Sequence, residues 1–402
     1  MKFLAWFLRK TCLVMSLSCF STGSMAQLHL RPELARPLQQ AQEALKLNQA
    51  SEALQMLQEA RKLAALKDDE RLLIERLTAV AAMSAQQYAL AAPALAYLVQ
   101  SPAVDAAEKS SLLEHLIHAN QQIKNHPDVV KFAQQYVSIG GKNSAIRLML
   151  LQTLSVQGQH DAVVRTARGI LDKESAGGTA ATEPELRVLA ASQSKLKDQV
   201  GYFNTLKLLV SRAPSKDYWV DLVSRIQSQP GFSNRFELDV YRLLETVGGL
   251  DEADDLSYMA SLALKAGLPS EAVRLLEQGY TSKVLGTGAE AANHAKLRQQ
   301  AMSRLAEDEK TLGSLEKSAK DSNGWAQMGD VLASQGLWER ANEAYFRALE
   351  EGQSRREAEL RLHYGLSLFK AQQLEQARTL WLSVKGDATA VELATLWRLW
   401  VR

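Results

Sequence analysis

The chain is 402 residues long, with 47 basic and 45 acidic side chains, a formal net charge of +2 and two cysteines. Removing residues 1–26 takes away Lys2, Arg9 and Lys10 and no acidic side chain, which leaves 44 basic against 45 acidic residues. So balanced a chain has no electrostatic grip on nucleic acid or on an anionic membrane. With Cys12 and Cys19 also lost, it holds no disulfide, thiolate metal site or cysteine nucleophile.

Lys2, Arg9 and Lys10 precede an apolar run from Cys12 to Phe20, and Ser-Thr-Gly-Ser-Met-Ala follows before Gln27. This pattern predicts a secretory signal peptide over residues 1–26, with Ser24 and Ala26 at the −3 and −1 positions and cleavage after Ala26. The apolar run is about half of the ~20 residues a membrane-spanning helix needs, which argues against a retained anchor. Ser16 stands where a lipobox carries Leu, which argues against lipidation at Cys19.

From Pro32 onward apolar residues recur at i, i+3, i+4 and i+7, and no window alternates with period two, so an all-α chain is predicted. About 376 residues exceed one ordinary core, whereas a solenoid grows along one dimension because each repeat packs only on its neighbours. The expected marker of pairing is a small or apolar residue at the start of each second helix. Candidates are Ala53, Ala91, Val130, Val163, Tyr202, Arg235, Ala272, Thr311, Ala341 and Ala377, spaced 30 to 39 residues apart. Loops are expected at His126-Pro127, Gly140-Gly141, Ala213-Pro214, Gln229-Pro230-Gly231, Gly248-Gly249 and Leu268-Pro269. Longer, looser segments fall at 175–183 and 283–289. The first suggests two halves, 27–180 and 181–402. The last helix, from Ala388, aligns Leu393, Leu396, Trp397 and Trp400 along one face. It reads as a cap over the end of the array, or as a docking patch through Trp397 and Trp400.

Residues 325–349 carry the densest pattern: Trp325, Met328, Gly329, Leu332, Gly336, Trp338, Ala341, Tyr345 and Ala348. At these spacings the stretch resembles the tetratricopeptide (TPR) repeat, as does its neighbour with Gly365, Leu368, Ala377 and Trp381. The resemblance implies a right-handed superhelical solenoid of TPR-like helical hairpins. In it Trp325, Gly329, Leu332, Trp338, Ala341, Tyr345, Ala348, Gly365, Ala377, Trp381 and Ala272 are packing residues. A narrower likeness runs from Tyr218-Trp219-x-x-Leu222 through Ala266–Ala272 and Gly336-Leu-Trp-Glu-Arg-Ala341 to Leu396-Trp397. This order is similar to exported TPR proteins of TonB and ExbB–ExbD energy-transduction clusters. That similarity implies a periplasmic accessory to TonB-dependent uptake whose partners are proteins or peptides, TonB or ExbD periplasmic domains among them. The alternative is an assembly or regulatory factor for an envelope complex of peptidoglycan, polysaccharide export or secretion.

No residue pattern in the chain assembles catalytic chemistry, so no catalytic, cofactor or metal site is assigned. Glu114, His115 and His118 lie within about one turn, but the His-Glu-x-x-His arrangement of a zinc protease is absent. His160 and His363 read as structural. Gly286-Thr-Gly288 lacks the third glycine of a dinucleotide loop, and Asp251, Glu252, Asp254 and Asp255 suit the start of a helix.

Overall fold

The structure is a computed structural model that describes residues 31–401 except Ala64 and Gln353. The expected signal peptide and its cleavage site lie outside the described residues. Among these residues the fold is all-α, with 20 α-helices and no strand. No described helix is long and apolar enough to cross a membrane.

A recurring turn organises the chain. At Asn48, Gln86, Lys124, Gly158, Lys197, Gly267, Gly336 and Gln372 the backbone enters the left-handed region, with φ between 57° and 75°. In each case the next residue's N–H reaches back to the carbonyl five residues earlier, as from Gln49 to Ala44 (2.8 Å) and from Leu337 to Leu332 (3.0 Å). That bond satisfies an orphan carbonyl of the first helix and ends it. One residue later a second helix starts. The turns therefore define hairpins α1/α2 (Pro32–Lys46, Ala50–Arg61), α3/α4 (Asp68–Ser84, Tyr88–Gln100) and α5/α6 (Ala106–Gln122, His126–Ser138). The turn at Gly158 separates α7 (Ser144–Val156) from α8 (His160–Ser175), and α9/α10 (Glu183–Lys195, Gln199–Arg212) form the next hairpin.

After α11 (Lys216–Ser224) and α12 (Glu237–Thr246) come the hairpin α13/α14 (Ala253–Lys265, Pro269–Thr281) and the single helix α15 (Ala291–Ser318). Then follow α16/α17 (Ser322–Ser334, Trp338–Glu351), α18/α19 (Glu357–Lys370, Leu374–Leu382) and α20 (Ala388–Trp400).

In six of the seven hairpins the fourth residue of the second helix is small or β-branched and at most 5% exposed: Ala53, Ala91, Val129, Ala272, Ala341 and Ala377; Val163, fourth in α8, is buried as well. The seventh has Tyr202, which fits by turning its hydroxyl out to donate to Asp221. Small residues here let the two helices of a hairpin approach closely. The expected Val130 is displaced by one residue, because α6 starts at His126 and so places Val129 in the seam. Arg235 is not such a position. It lies in a 3₁₀ turn, Asn234–Phe236, after the break at Pro230-Gly231, and Phe236 supplies the buried side chain. Thr311 is not one either, for it falls inside the 28 residues of α15, where no turn interrupts the helix.

The chain divides into two compact units, Met1–Thr153 with Ser175–Thr179, and Leu154–Glu174 with Ala180–Arg402. In the first, Arg31 clamps the buried Glu70 at 2.8 and 3.0 Å, and the Tyr136 hydroxyl donates to Glu114 at 2.6 Å. In the second, α20 packs not only on α18 and α19 but also on α10 and α12. Lys207 meets Glu392 at 3.1 Å, Arg235 meets Asp387 at 2.9 Å, and the Ser233 N–H donates to Thr389 Oγ1 at 2.9 Å. The helices of this unit thereby close upon themselves.

Candidate functional site

Inside the second unit, α12, α14, α16 and α18 turn charged side chains toward one another. His363 on α18 stands between two carboxylates. Its Nδ1 is 2.7 Å from Asp330 Oδ1 on α16, and its Nε2 is 3.1 Å from Asp239 Oδ1 on α12, close enough for an ion pair but not aligned as a hydrogen bond. Arg242, one turn beyond Asp239, donates to it at 2.9 Å and grips Glu271 on α14 at 2.9 and 2.7 Å. The Tyr345 hydroxyl on α17 donates to Asp330 at 2.7 Å. At the edge, Arg274 holds Glu245 at 2.6 and 3.1 Å.

Such a cluster survives burial only because every charge has an opposite neighbour. Burial alone would lower the His363 pKa, but Asp239 and Asp330 outweigh it and hold the imidazolium well above the usual histidine range. Burial would raise both carboxylates, yet His363 keeps each below its ordinary value. Arg242 is held higher by Glu271 and Asp239 against the cost of desolvation. Burial and Asp330 together push the Tyr345 phenol well up.

Above this floor lies a cavity of about 700 Å³. Its lining includes the charged Arg242, Glu271, Asp330, His363 and Lys370 and the apolar Leu305, Trp338 and Leu366. The arrangement is a fixed pattern of charge. With a carboxylate facing each nitrogen, His363 has no free lone pair to act as a general base.

The repeat pattern maps onto the packing around this site. Leu332, Ala341, Tyr345 and Ala348 share one buried cluster with Met328, and Trp325 lies against it under the Arg347 guanidinium, 4.8 Å from its ring centroid. Gly329 faces the Tyr345 ring, where an added Cβ would stand 2.5 Å from ring carbons. Gly365 faces the Trp381 ring in the same way, while the Trp381 indole N–H donates to the Leu362 carbonyl at 3.2 Å. Ala272 and Ala377 are fully buried. Trp338 is half-buried and lines the cavity rather than the hairpin core.

Burial removes Trp397 from the docking patch expected at the last helix. Trp397 is 1% exposed and stacks on Trp381 with ring centroids 5.8 Å apart, because the face with Leu393 and Leu396 is folded inward. Trp400 is half-buried and sets its ring edge-on against Trp219 at 5.4 Å. Sequence reasoning missed the site's centre. His363 was read only as a structural neighbour of Gly365, and Asp239 with Arg242, Glu271 and Asp330 come from three separate helices with no local signature.

Elsewhere, His118 packs edge-on against Tyr88, and His160 Nδ1 lies 3.3 Å from the Ser192 hydroxyl. Among the described residues no group of three or more His, Cys, Asp or Glu is arranged to hold a metal ion.

No protein-family model and no curated protein matches the chain. Among solved structures, it is similar to one titled "Structure of Naa15/Naa10 bound to HypK-THB", with 14% identity and a TM-score of 0.32 over 85% of this chain. The match spans 56% of that chain's length. Yeast Tom70 aligns over 92% of this chain and 95% of its own, with 9% identity and a TM-score of 0.24. The TPR-like assignment rests on the hairpin turns and seams themselves.

Proposed function

We propose that this chain is an exported binding scaffold in the periplasm, an accessory of TonB-dependent uptake. Its recognition surface for a protein partner is the mouth of the charged cavity in the second unit. One observation carries the binding role: the ionisable groups of the cavity floor are locked to one another, which suits them to recognise a partner and not to turn over a substrate. Export is supported by the residue 1–26 pattern and by the absence of cysteine after it. The TonB assignment is supported by the likeness over residues 218–400, whose Trp219, Leu222 and Leu396 are core residues of this unit.

Site-specific photo-crosslinking in the periplasm tests the reading. A photoreactive residue at Trp338, beside the cavity, is compared with one at the outward-facing Leu382, which is 62% exposed. Capture of a TonB-type or ExbD-type periplasmic domain from Trp338 and not from Leu382 is the expected result. Recovery only of peptidoglycan or polysaccharide-export proteins would move the assignment to an envelope assembly factor, and equal capture from both positions would remove the cavity mouth as the contact.

A further inference from the structure

At 28 residues α15 is about twice as long as the helices before and after it, yet it buries little. Among its described side chains only His294 and Ala301 are buried, whereas the 13 residues of α14 bury six. The two lie on one stripe with the half-buried Leu297, Leu305 and Asp308, and Lys296, Gln299, Gln300 and Ser303 on the other side face water. A helix held by so few buried side chains belongs to the part of a fold that opens at the least cost.

The fastenings of its N-terminal half are light. Arg298 grips Glu277 on α14 at 2.6 and 2.7 Å and lies over the Tyr280 ring, but both partners of the ion pair are more than a third exposed, so water competes for them. His294 Nδ1 accepts the Gly286 N–H at 3.3 Å. Between the buried Leu285 and the start of α15 the chain carries Gly286 and Gly288 at φ 80° and 72°, with open space around Gly288. Residues 286–290 follow bends and a turn, and fully extended they would span about 17 Å, so this end of α15 has slack. The other end has little: residues 319–321, with Ala319 buried, lead straight into α16.

Leu305 is the residue that α15 contributes to the lining of the charged cavity. We propose that α15 is a lid on that cavity. It pivots at residues 319–321, its N-terminal half lifts as residues 286–290 straighten, and Leu305 withdraws from the lining. The ion pairs of the floor stay made throughout, because they join α12, α14, α16 and α18 and none of them involves α15. That the lid admits a protein partner rests on the reading of the cavity mouth as the contact surface; that it opens does not.

The test uses the purified full chain and no partner. Cys12 and Cys19 are its only cysteines, so with Cys12→Ser and Cys19→Ser in place each introduced thiol is unique. Ala301→Cys on the inner stripe of α15 is compared with Ala341→Cys in the α16/α17 seam, both alanines being fully buried. His294→Cys, at a position 5% exposed on the same stripe, repeats the measurement. Under native conditions both α15 thiols should react with a disulfide reagent such as DTNB at least about a hundredfold faster than Ala341→Cys. Their rates should stay nearly constant in urea below the unfolding transition, since a lifted helix exposes little new surface. Rates equal to that of Ala341→Cys would fix α15 in place and overturn the proposal. Fast labelling that climbs steeply with urea would show that the helix unfolds instead of lifting, and would overturn it as well. Failure here leaves the contact at the mouth to be decided by crosslinking from Trp338.

Discussion

Replacing His363 with Gln keeps a polar side chain of similar size in the cluster and deletes the charge between Asp239 and Asp330. Asp239 would still be held by Arg242 at 2.9 Å, but Asp330 would keep only the Tyr345 hydroxyl at 2.7 Å. Removing one member of a fully buried ion pair costs about 3–5 kcal/mol. Because the Asp330 side chain is 29% exposed and water reaches it, the lower end applies, about 3 kcal/mol. For a unit of this size that loss corresponds to a melting temperature roughly 6–12 °C lower.

The pH dependence follows from the directions of the shifts. The folded pKa of His363 is raised, so its contribution is complete below the unfolded value of about 6.5 and is lost as pH rises through the folded value. Asp239 and Asp330 are lowered, so theirs is complete above about 3.9 and is lost as pH falls through their folded values. Thermal melts followed by circular dichroism across this span should show stability declining at both ends, and His363→Gln should abolish the alkaline decline. A double-mutant cycle with Asp330→Asn should give a coupling above about 1 kcal/mol. A loss within about 0.5 kcal/mol at neutral pH, or additivity in the cycle, would show that the three groups do not act as one unit.

Two further substitutions test the hairpin geometry, both by thermal or urea unfolding. Gly365→Ala places a Cβ inside the Trp381 ring and should cost about 1–3 kcal/mol; a neutral result would mean that the two helices of that hairpin can move apart freely. Gln372→Gly should stabilise by about 0.5 kcal/mol. At φ 63° Gln372 carries left-handed strain that glycine relieves, part of which returns as extra freedom of the unfolded chain.

Much of the fold was legible in the sequence where packing is local. Ala272, Ala341 and Ala377 are visible because a close helix crossing excludes larger side chains and so marks the sequence at a fixed period. The register held at Tyr202, which enters the seam by sending its hydroxyl to Asp221, and failed where the helix starts elsewhere: Val129 is buried in place of Val130, and Phe236 in place of Arg235. Turns were harder. Gly158, Gly267 and Gly336 announce a left-handed residue, but Asn48, Gln86, Lys124, Lys197 and Gln372 adopt the same conformation without glycine. They do so because the returning hydrogen bond holds them there. The charged cluster left no local trace, since its members come from four helices and only the closure of the unit brings them together.

That closure changes how the second unit should fold. In an open array each repeat touches its neighbours, so contacts are short in sequence and the ends can fray independently. Here Lys207 pairs with Glu392, 185 residues away, and Ser233 with Thr389, 156 residues away. Such distant pairings raise the contact order, slow the search for the native state and couple the first helices to the last. The unit should therefore lose structure as a single cooperative block, with amide exchange in α10 and α20 reporting the same opening free energy.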